Sequence, residues 1–386
     1  MKAKRKGLIA NAPRTPTVRT VRPAIGLPQP RQRASMPRAV GPSSSSASSS
    51  PATPASSSLA LDLLGGRPVD LEVDLGRGLV LANPILAASG PFGYGVEVVD
   101  VADLGRIGAL VTRGTSLKPR AGHAAPRLAE VPAGLLLGMG PQNPGLDTVL
   151  DRYAGTWASW GVPIIINLCA DNAGELGEAV RRLEGAPGVA GIEINLSCGG
   201  GGRGGAMPGL DAGAAGSYVA TARRATDLPL IAKLTAAAAD VRAVAQACEA
   251  AGADAISAIN TLPGLALAAD RRGPALGSGY GGLCGPALRP IALRVVWEVA
   301  QVVGVPVIGI GGVATIDDVL DMLAAGASAV GIGVAALADP MLPVRLADEL
   351  ADACRVLGVA AARDLVGTAL PAKPAAPSTR GAEYAR

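Results

Sequence analysis

The sequence predicts an α/β fold of the (β/α)8 TIM-barrel type, and three observations carry that prediction. Eight short apolar segments alternate with eight amphipathic ones over about 290 residues, near the ~250 typical of such a barrel. The apolar segments read as hydrophobic on both faces, as parallel strands covered by helices do. Rare polar residues fall at the ends of these segments, on the rim where barrels carry their chemistry. An open doubly wound sheet, built from the same βαβ units, is the competing architecture.

The elements follow in order. Val69–Leu75 and Leu79–Leu81 read as an N-terminal β-hairpin turning at Gly76–Gly78. The eight strand segments are Ile85–Ala88, Ala109–Thr112, Pro163–Leu168, Gly191–Leu196, Leu230–Leu234, Ala255–Asn260, Val307–Ile310 and Ala329–Gly333. Each is too short for a helix. Each is followed by a stretch of helical spacing: Val96–Leu104, Leu146–Trp160, Ala173–Leu183, Ala212–Ala225, Asp240–Ala251, Ala287–Val303, Ile316–Ala325 and Met341–Val356. This divides the chain into a basic Pro/Ser-rich tail (1–66), the barrel (67–366) and an Ala/Pro-rich C-terminal tail (367–386).

Composition narrows the function. The net charge is +4, yet Met1 to Leu61 holds ten basic residues and no acid, leaving 25 basic against 31 acidic residues for the rest. The positive balance belongs to the tail. Rich in Pro and Ser and without apolar periodicity, that segment cannot bury enough surface to offset its ordering entropy, so it is expected to be disordered. Three readings stay open for it: a plain extension or upstream start, an organellar transit peptide, and an arm for nucleic acid or an anionic surface. Aromatics are 2% of the chain, too few for base-stacking platforms, so no nucleic-acid partner is expected of the barrel. A single histidine, His123, argues against His-rich metal sites and a Ser-His-Asp triad, and no metal is expected. The longest uncharged run, Met322 to Ala338, falls short of the ~20 apolar residues of a membrane span. Five cysteines without a CxxC pairing suit reduced thiols and a cytoplasmic location.

The rim residues are the candidates for chemistry. Of seven asparagines, Asn167, Asn195 and Asn260 end the third, fourth and sixth strands. Outside the tails only Lys118 and Lys233 remain among six lysines, and Lys233 lies within the apolar Leu230–Leu234 strand. A lysine there must be paired or bind a ligand, because an unpaired buried charge is costly. Amides and one cation on one rim suit a polar ring that gains negative charge, such as a flavin. Gly309-Ile310-Gly311-Gly312-Val313 and Gly331-Ile332-Gly333 follow the seventh and eighth strands, where barrels bind phosphate through freed backbone amides. Tight βα turns explain either glycine pair alone; together with the amide rim they point to FMN. Cys198 opens a glycine-dense loop, Gly199 to Gly205, that can serve as a lid. Its thiolate can act as base or nucleophile, against the competing reading of an inert loop cysteine.

These residues resemble the class 1 dihydroorotate dehydrogenases, especially the 1B type. The shared blocks are Asn83-Pro84, Ala88-Ser89-Gly90, Pro119-Arg120, Gln142-Asn143-Pro144-Gly145, Asn195-Leu196-Ser197-Cys198, Ala232-Lys233-Leu234, Ile259-Asn260-Thr261-Leu262, Gly281 to Ala287, and Gly311-Gly312. Dihydropyrimidine dehydrogenases share some of them. The resemblance implies FMN-dependent oxidation of dihydroorotate to orotate in pyrimidine biosynthesis. Cys198 would be the base at C5 while a hydride leaves C6 for the flavin, and Lys233 would stabilise the reduced flavin. It further implies cofactor contacts from Ala88, Ser89, Gly90, Arg113, Asn167, Asn195, Lys233, Gly285, Gly311, Gly312, Gly333 and Val334. Substrate contacts would come from Asn143, Asn195, Asn260 and Thr261. A homodimer is implied, with fumarate or a flavin/iron–sulfur electron-transfer subunit as acceptor.

The sequence also departs from the family. Arg113 stands for a Lys, Leu137 and Gly200 for asparagines, Gly199 for a Pro, and Val334 for a Thr, while a Gly-Asn-Pro block reads Gly122-His123-Ala124. The flavin frame is thus more complete than the substrate pocket, and Leu137 suggests a substrate less polar on that edge. Two rival functions follow: a paralogue acting on another cyclic CH–CH substrate, and a flavin-binding scaffold without turnover.

Overall fold

A computed structural model describes residues 68–198 and 207–372. The basic tail, the glycine-dense loop proposed as a lid, and the last C-terminal residues lie outside the described residues.

The strands are β1 (Val73–Asp74), β2 (Val80–Leu81), β3 (Ile85–Ala87), β4 (Ala109–Val111), β5 (Leu128–Val131), β6 (Gly134–Leu137), β7 (Ile164–Leu168), β8 (Val189–Asn195), β9 (Leu230–Lys233), β10 (Ala255–Ala258), β11 (Leu262–Gly264), β12 (Gly281–Cys284), β13 (Val307–Ile310) and β14 (Ala329–Ile332). The α-helices are α1 (Leu146–Trp157), α2 (Ala173–Leu183), α3 (Ala212–Arg223), α4 (Val241–Ala250), α5 (Arg289–Ala300), α6 (Ile316–Ala324), α7 (Ala335–Ala338) and α8 (Leu342–Leu357).

Eight parallel strands close in the order β10-β13-β14-β3-β4-β7-β8-β9, so the barrel, not the open sheet, is the architecture. Two apolar layers follow from strand alternation. Leu86, Val111, Ile165, Ile231, Ile308 and Ile310 belong to a core inside the barrel, whereas Ile85, Leu110, Ile164 and Ile166 pack outward with the helices. The β1–β2 hairpin, paired Val73 to Leu81, adds Leu75, Leu79 and Leu81 to the inner core. Leu79 reaches Gly191 at the start of β8, so the hairpin covers the N-terminal ends of the strands, opposite the rim. Helix starts carry their expected caps: Asn172, Asp211, Asp240 and Thr315 each accept a backbone N–H from the first turn.

Three features differ from the sequence reading. Val96–Leu104 forms consecutive turns and a 3-10 helix at Leu104–Arg106 rather than an α-helix. Val96, Val98, Val99 and Val101 lose rotamer freedom in a helix, and Gly95 has a φ of +92°. A four-stranded antiparallel sheet, ordered β11-β12-β6-β5, comes from the chain following β4 and β10 and was not foreseen. It rises from the C-terminal ends of those strands, beside the rim. Beyond the expected barrel edge at 366, Gly367 and Ala369 still donate backbone hydrogen bonds to Leu323 and Ala324.

Candidate active site

Residues two apart on a strand share a face. The interior face that carries Ile165 of β7 therefore also carries Asn167. Ile231 of β9 leads to Lys233, Ala255 of β10 to Ser257, and Gly191 of β8 to Glu193 and Asn195. Strand register levels them: Asn167 pairs with Glu193, Asn195 with Lys233, and Lys233 with Ser257.

Lys233 and Glu193 form a buried ion pair, Nζ to Oε2 3.2 Å, with side chains 3% and 1% exposed. Charges this deep survive only when their remaining hydrogen-bonding capacity is met. It is met here: Ser257 Oγ donates to Glu193 Oε1 at 2.7 Å and Asn167 Nδ2 to Oε2 at 2.5 Å. Lys233 also donates to Ser89 Oγ at 3.0 Å. The amides continue outward, with Asn260 Nδ2 donating to Asn195 Oδ1 and Asn195 Nδ2 to Asn167 Oδ1, both at 3.2 Å. One hydrogen-bonded chain thus joins Asn260, Asn195, Asn167, Glu193, Lys233 and Ser89 around the rim.

Sequence reasoning required a partner for Lys233 but missed Glu193. The signal was present: an acid inside the otherwise apolar Ile192-Glu193-Ile194, two residues before Asn195 and on its face.

Cys198 lies just past β8 and is half-buried; its sulfur is 2.7 Å from that of Cys169, just past β7. The hydrogen bond from Cys169 lowers the Cys198 pKa below the ordinary thiol range; burial opposes this, the Arg120 and Lys233 charges assist, and Asp171 opposes. Arg120 holds Asp171 at 3.0 Å and Glu175 at 3.6 Å, along a groove that opens beside the cysteine pair.

The other expected residues divide. Ala88 is buried with its N–H on Ile332, and Gly90 has a φ of +118°. Arg113 follows Thr112, whose hydroxyl accepts the Asn167 N–H. Thr261 abuts Gly282, which pairs with Leu137 in the antiparallel sheet, so Leu137 does stand beside this end of the site. Asn143 is tied to its own loop: its Nδ2 donates to Ser116 Oγ and Pro141 O, and its Oδ1 accepts from Ser116 N and Gly145 N.

The glycine turns fit a phosphate-bearing cofactor. Gly285, Gly311 and Gly312 have φ of +95°, +138° and +73°. A Cβ on Gly311 would stand 2.6 Å from Ala292 Cβ, so the turn packs against α5. At Gly333 nothing lies within 4 Å of the Cβ position, which leaves an open cradle before Val334 and α7. Ser197 Oγ is buried next to the amide chain without a hydrogen-bond partner among the described residues, a polar atom that a bound ring with carbonyl and imide edges would satisfy.

Residues 71–354 match the family model described as dihydroorotate dehydrogenase. The catalytic subunit of dihydroorotate dehydrogenase B (NAD(+)) from Geotalea uraniireducens is 43% identical over 302 residues, covering 78% of this chain and 98% of that protein. That of Pelobacter propionicus is 45% identical over 298 residues, covering 77% and 98%. A crystal structure titled DHODH in complex with ferulenol, from Eimeria tenella, superposes with a TM-score of 0.66 at 20% identity, over 80% of this chain and 92% of that one, a likeness of fold.

Proposed function

The chain belongs to the dihydroorotate dehydrogenase family, of class 1B-like type, and on that premise we propose that it oxidises dihydroorotate to orotate on bound FMN, with Cys198 as the base. The observation that carries this reading is the continuous polar chain from Asn260 to Ser89, with a lowered-pKa thiol beside it.

FMN, when bound, supplies the hydride acceptor. Lys233 and Ser89, with Asn167 and Asn195, would hold its ring edge, and Gly285, Gly311, Gly312 and the Gly333–Val334 cradle its phosphate. Lys233 presents a cation whose geometry Glu193 holds, aimed where negative charge grows. Asn195, Asn260 and Thr261 would orient the substrate ring. Cys198 Sγ then takes the C5 proton; the residue is competent only as thiolate, and its lowered pKa favours that form. The named relatives are catalytic subunits of an NAD(+) enzyme, so electrons are proposed to leave through a second, electron-transfer subunit, with the barrel itself forming a homodimer. Among the described residues no helix is long and apolar enough to cross a membrane; a cytoplasmic location is part of the proposal.

The test is optical. Anaerobic dihydroorotate should bleach the flavin absorbance of the purified protein, and Cys198→Ala should slow bleaching by about 10²–10⁴-fold, the usual worth of a positioned base. Unchanged bleaching in that variant removes Cys198 from the role. Leu137 on the sheet, together with Asn143 tied to its loop, favours a second reading, a less polar dihydropyrimidine. Faster bleaching by dihydrouracil than by dihydroorotate would select it.

A further inference from the structure

Cys169 is a rim group that the proposed reaction leaves unassigned, and it touches the base. It is 2% exposed, anchored by its N–H on Thr115 O at 2.8 Å, and placed by the end of β7. Gly114 leaves it room, since a Cβ there would stand 2.8 Å from its sulfur. The thiol proton has two acceptors in reach: Cys198 Sγ at 2.7 Å and, far more weakly, Asn167 Oδ1 at 3.9 Å.

We propose that Cys169 is a positioning residue of the reaction: its thiol donates to the Cys198 sulfur and holds that sulfur as the thiolate that accepts the substrate proton. The inference rests on the reading of Cys198 as base. Direction follows from burial. Cys169 is the more deeply enclosed of the two, so charge on it is disfavoured and it keeps its proton; its pKa is held well above the ordinary range by this same hydrogen bond and by burial. Among the described residues, the other charged groups acting on the pair are Arg120, after β4, and Lys233, on β9, which favour the Cys198 thiolate, and Asp171, after β7, which opposes it. Arg120 donates to Asp171, and Lys233 to Ser89 and Glu193, so Cys169 is the directional donor to this sulfur. When Cys198 takes a proton from substrate it becomes a neutral thiol, and Cys169 keeps its own proton.

Alkylation reads the thiolate directly and does not depend on turnover. The other cysteines are buried, with burial pushing Cys248 up to about 12 and Cys284 to about 11 and raising Cys354, so iodoacetamide should label Cys198 first. In the FMN-loaded enzyme, Cys169→Ala should move the pH midpoint of Cys198 labelling up by about one unit, slowing labelling about tenfold below it. Cys169→Ser, which keeps a donor, should restore most of the shift. Cys169→Val, which fills the space without a donor, should behave as Ala. The rise of flavin reduction by dihydroorotate with pH should move with the labelling midpoint. A midpoint that is the same in wild type, Ala and Val overturns the proposal, as does a Cys169–Cys198 disulfide in protein isolated under reductant. If dihydroorotate fails to reduce the flavin at all, the labelling comparison still decides the role of Cys169, while the assigned reaction falls.

Discussion

Replacing Glu193 by Gln keeps the hydrogen-bonding shape but removes the charge facing Lys233, which is then buried and unpaired. Loss of one member of a buried pair costs roughly 3–5 kcal/mol, whereas loss of both in favour of apolar groups is near neutral. Glu193→Gln should therefore lower the urea midpoint sharply, and Glu193→Gln combined with Lys233→Met should recover most of that loss. Additive losses in the double-mutant cycle would show that the two side chains do not act as a pair. The single variant should also weaken FMN binding, since Glu193 holds Asn167, Ser257 and Lys233 in one arrangement. The pH dependence of turnover belongs to a different residue. Cys198 is useful only unprotonated, and its pKa is lowered, so flavin reduction should rise with pH to a plateau whose midpoint lies below that of a free thiol measured alongside. A midpoint above that value contradicts the assigned environment.

The glycine turns separate folding from binding at the level of elements. Gly312 has a φ of +73°, and a Cβ there would come within 2.6 Å of Arg289 Cβ and 2.8 Å of its backbone N. Gly312→Ala should cost stability and FMN affinity together, by about 1–3 kcal/mol for the backbone strain alone. Gly333 has ordinary φ and open space, so Gly333→Ala should leave the melting temperature unchanged while raising the FMN dissociation constant, because the methyl enters the cradle. Equal effects at both positions would mean that Gly333 lines no ligand. The same elements show what was legible beforehand. Val307–Ile310 is found at its predicted bounds because a strand buried on both faces is an unbroken apolar run between Pro306 and Gly311. The rim asparagines and Lys233 were visible for the same reason, as polar interruptions of such runs. The antiparallel sheet was invisible because β6 pairs with β12, some 150 residues away, and short strands with non-local partners leave no local pattern. Glu193 was overlooked because attention went to strand ends, whereas the ladder sets it level with Asn167, one inward position below Asn195. The hydrogen bonds of Asn143 within its own loop were not legible, because a motif shows that a residue is used, not whether its amide faces ligand or loop.

Charge is divided along the molecule in a way that neither half reveals. The ten basic residues before Asp62 give the chain its net +4, and without them the remainder carries 25 basic against 31 acidic residues. The family match begins at residue 71, and the rim, the ion pair and the cysteine pair all lie beyond that point. The two parts therefore make separable predictions. Deleting residues 1–61 should leave the rate of flavin bleaching by dihydroorotate within about twofold, since surface changes remote from a site rarely exceed ±0.5 kcal/mol. The same deletion should abolish retention on a cation exchanger at pH 7, because the remaining chain has net charge −6. Retention of the full chain should weaken steeply between low and physiological salt, as exposed charge does when the screening length shrinks to about 8 Å. If the truncated protein loses flavin reduction while keeping its flavin spectrum, the basic segment contributes to the site, and the division of the chain at residue 66 is wrong for function. If reduction persists and retention is lost, the activity belongs to the acidic barrel and the basic segment is separable from it.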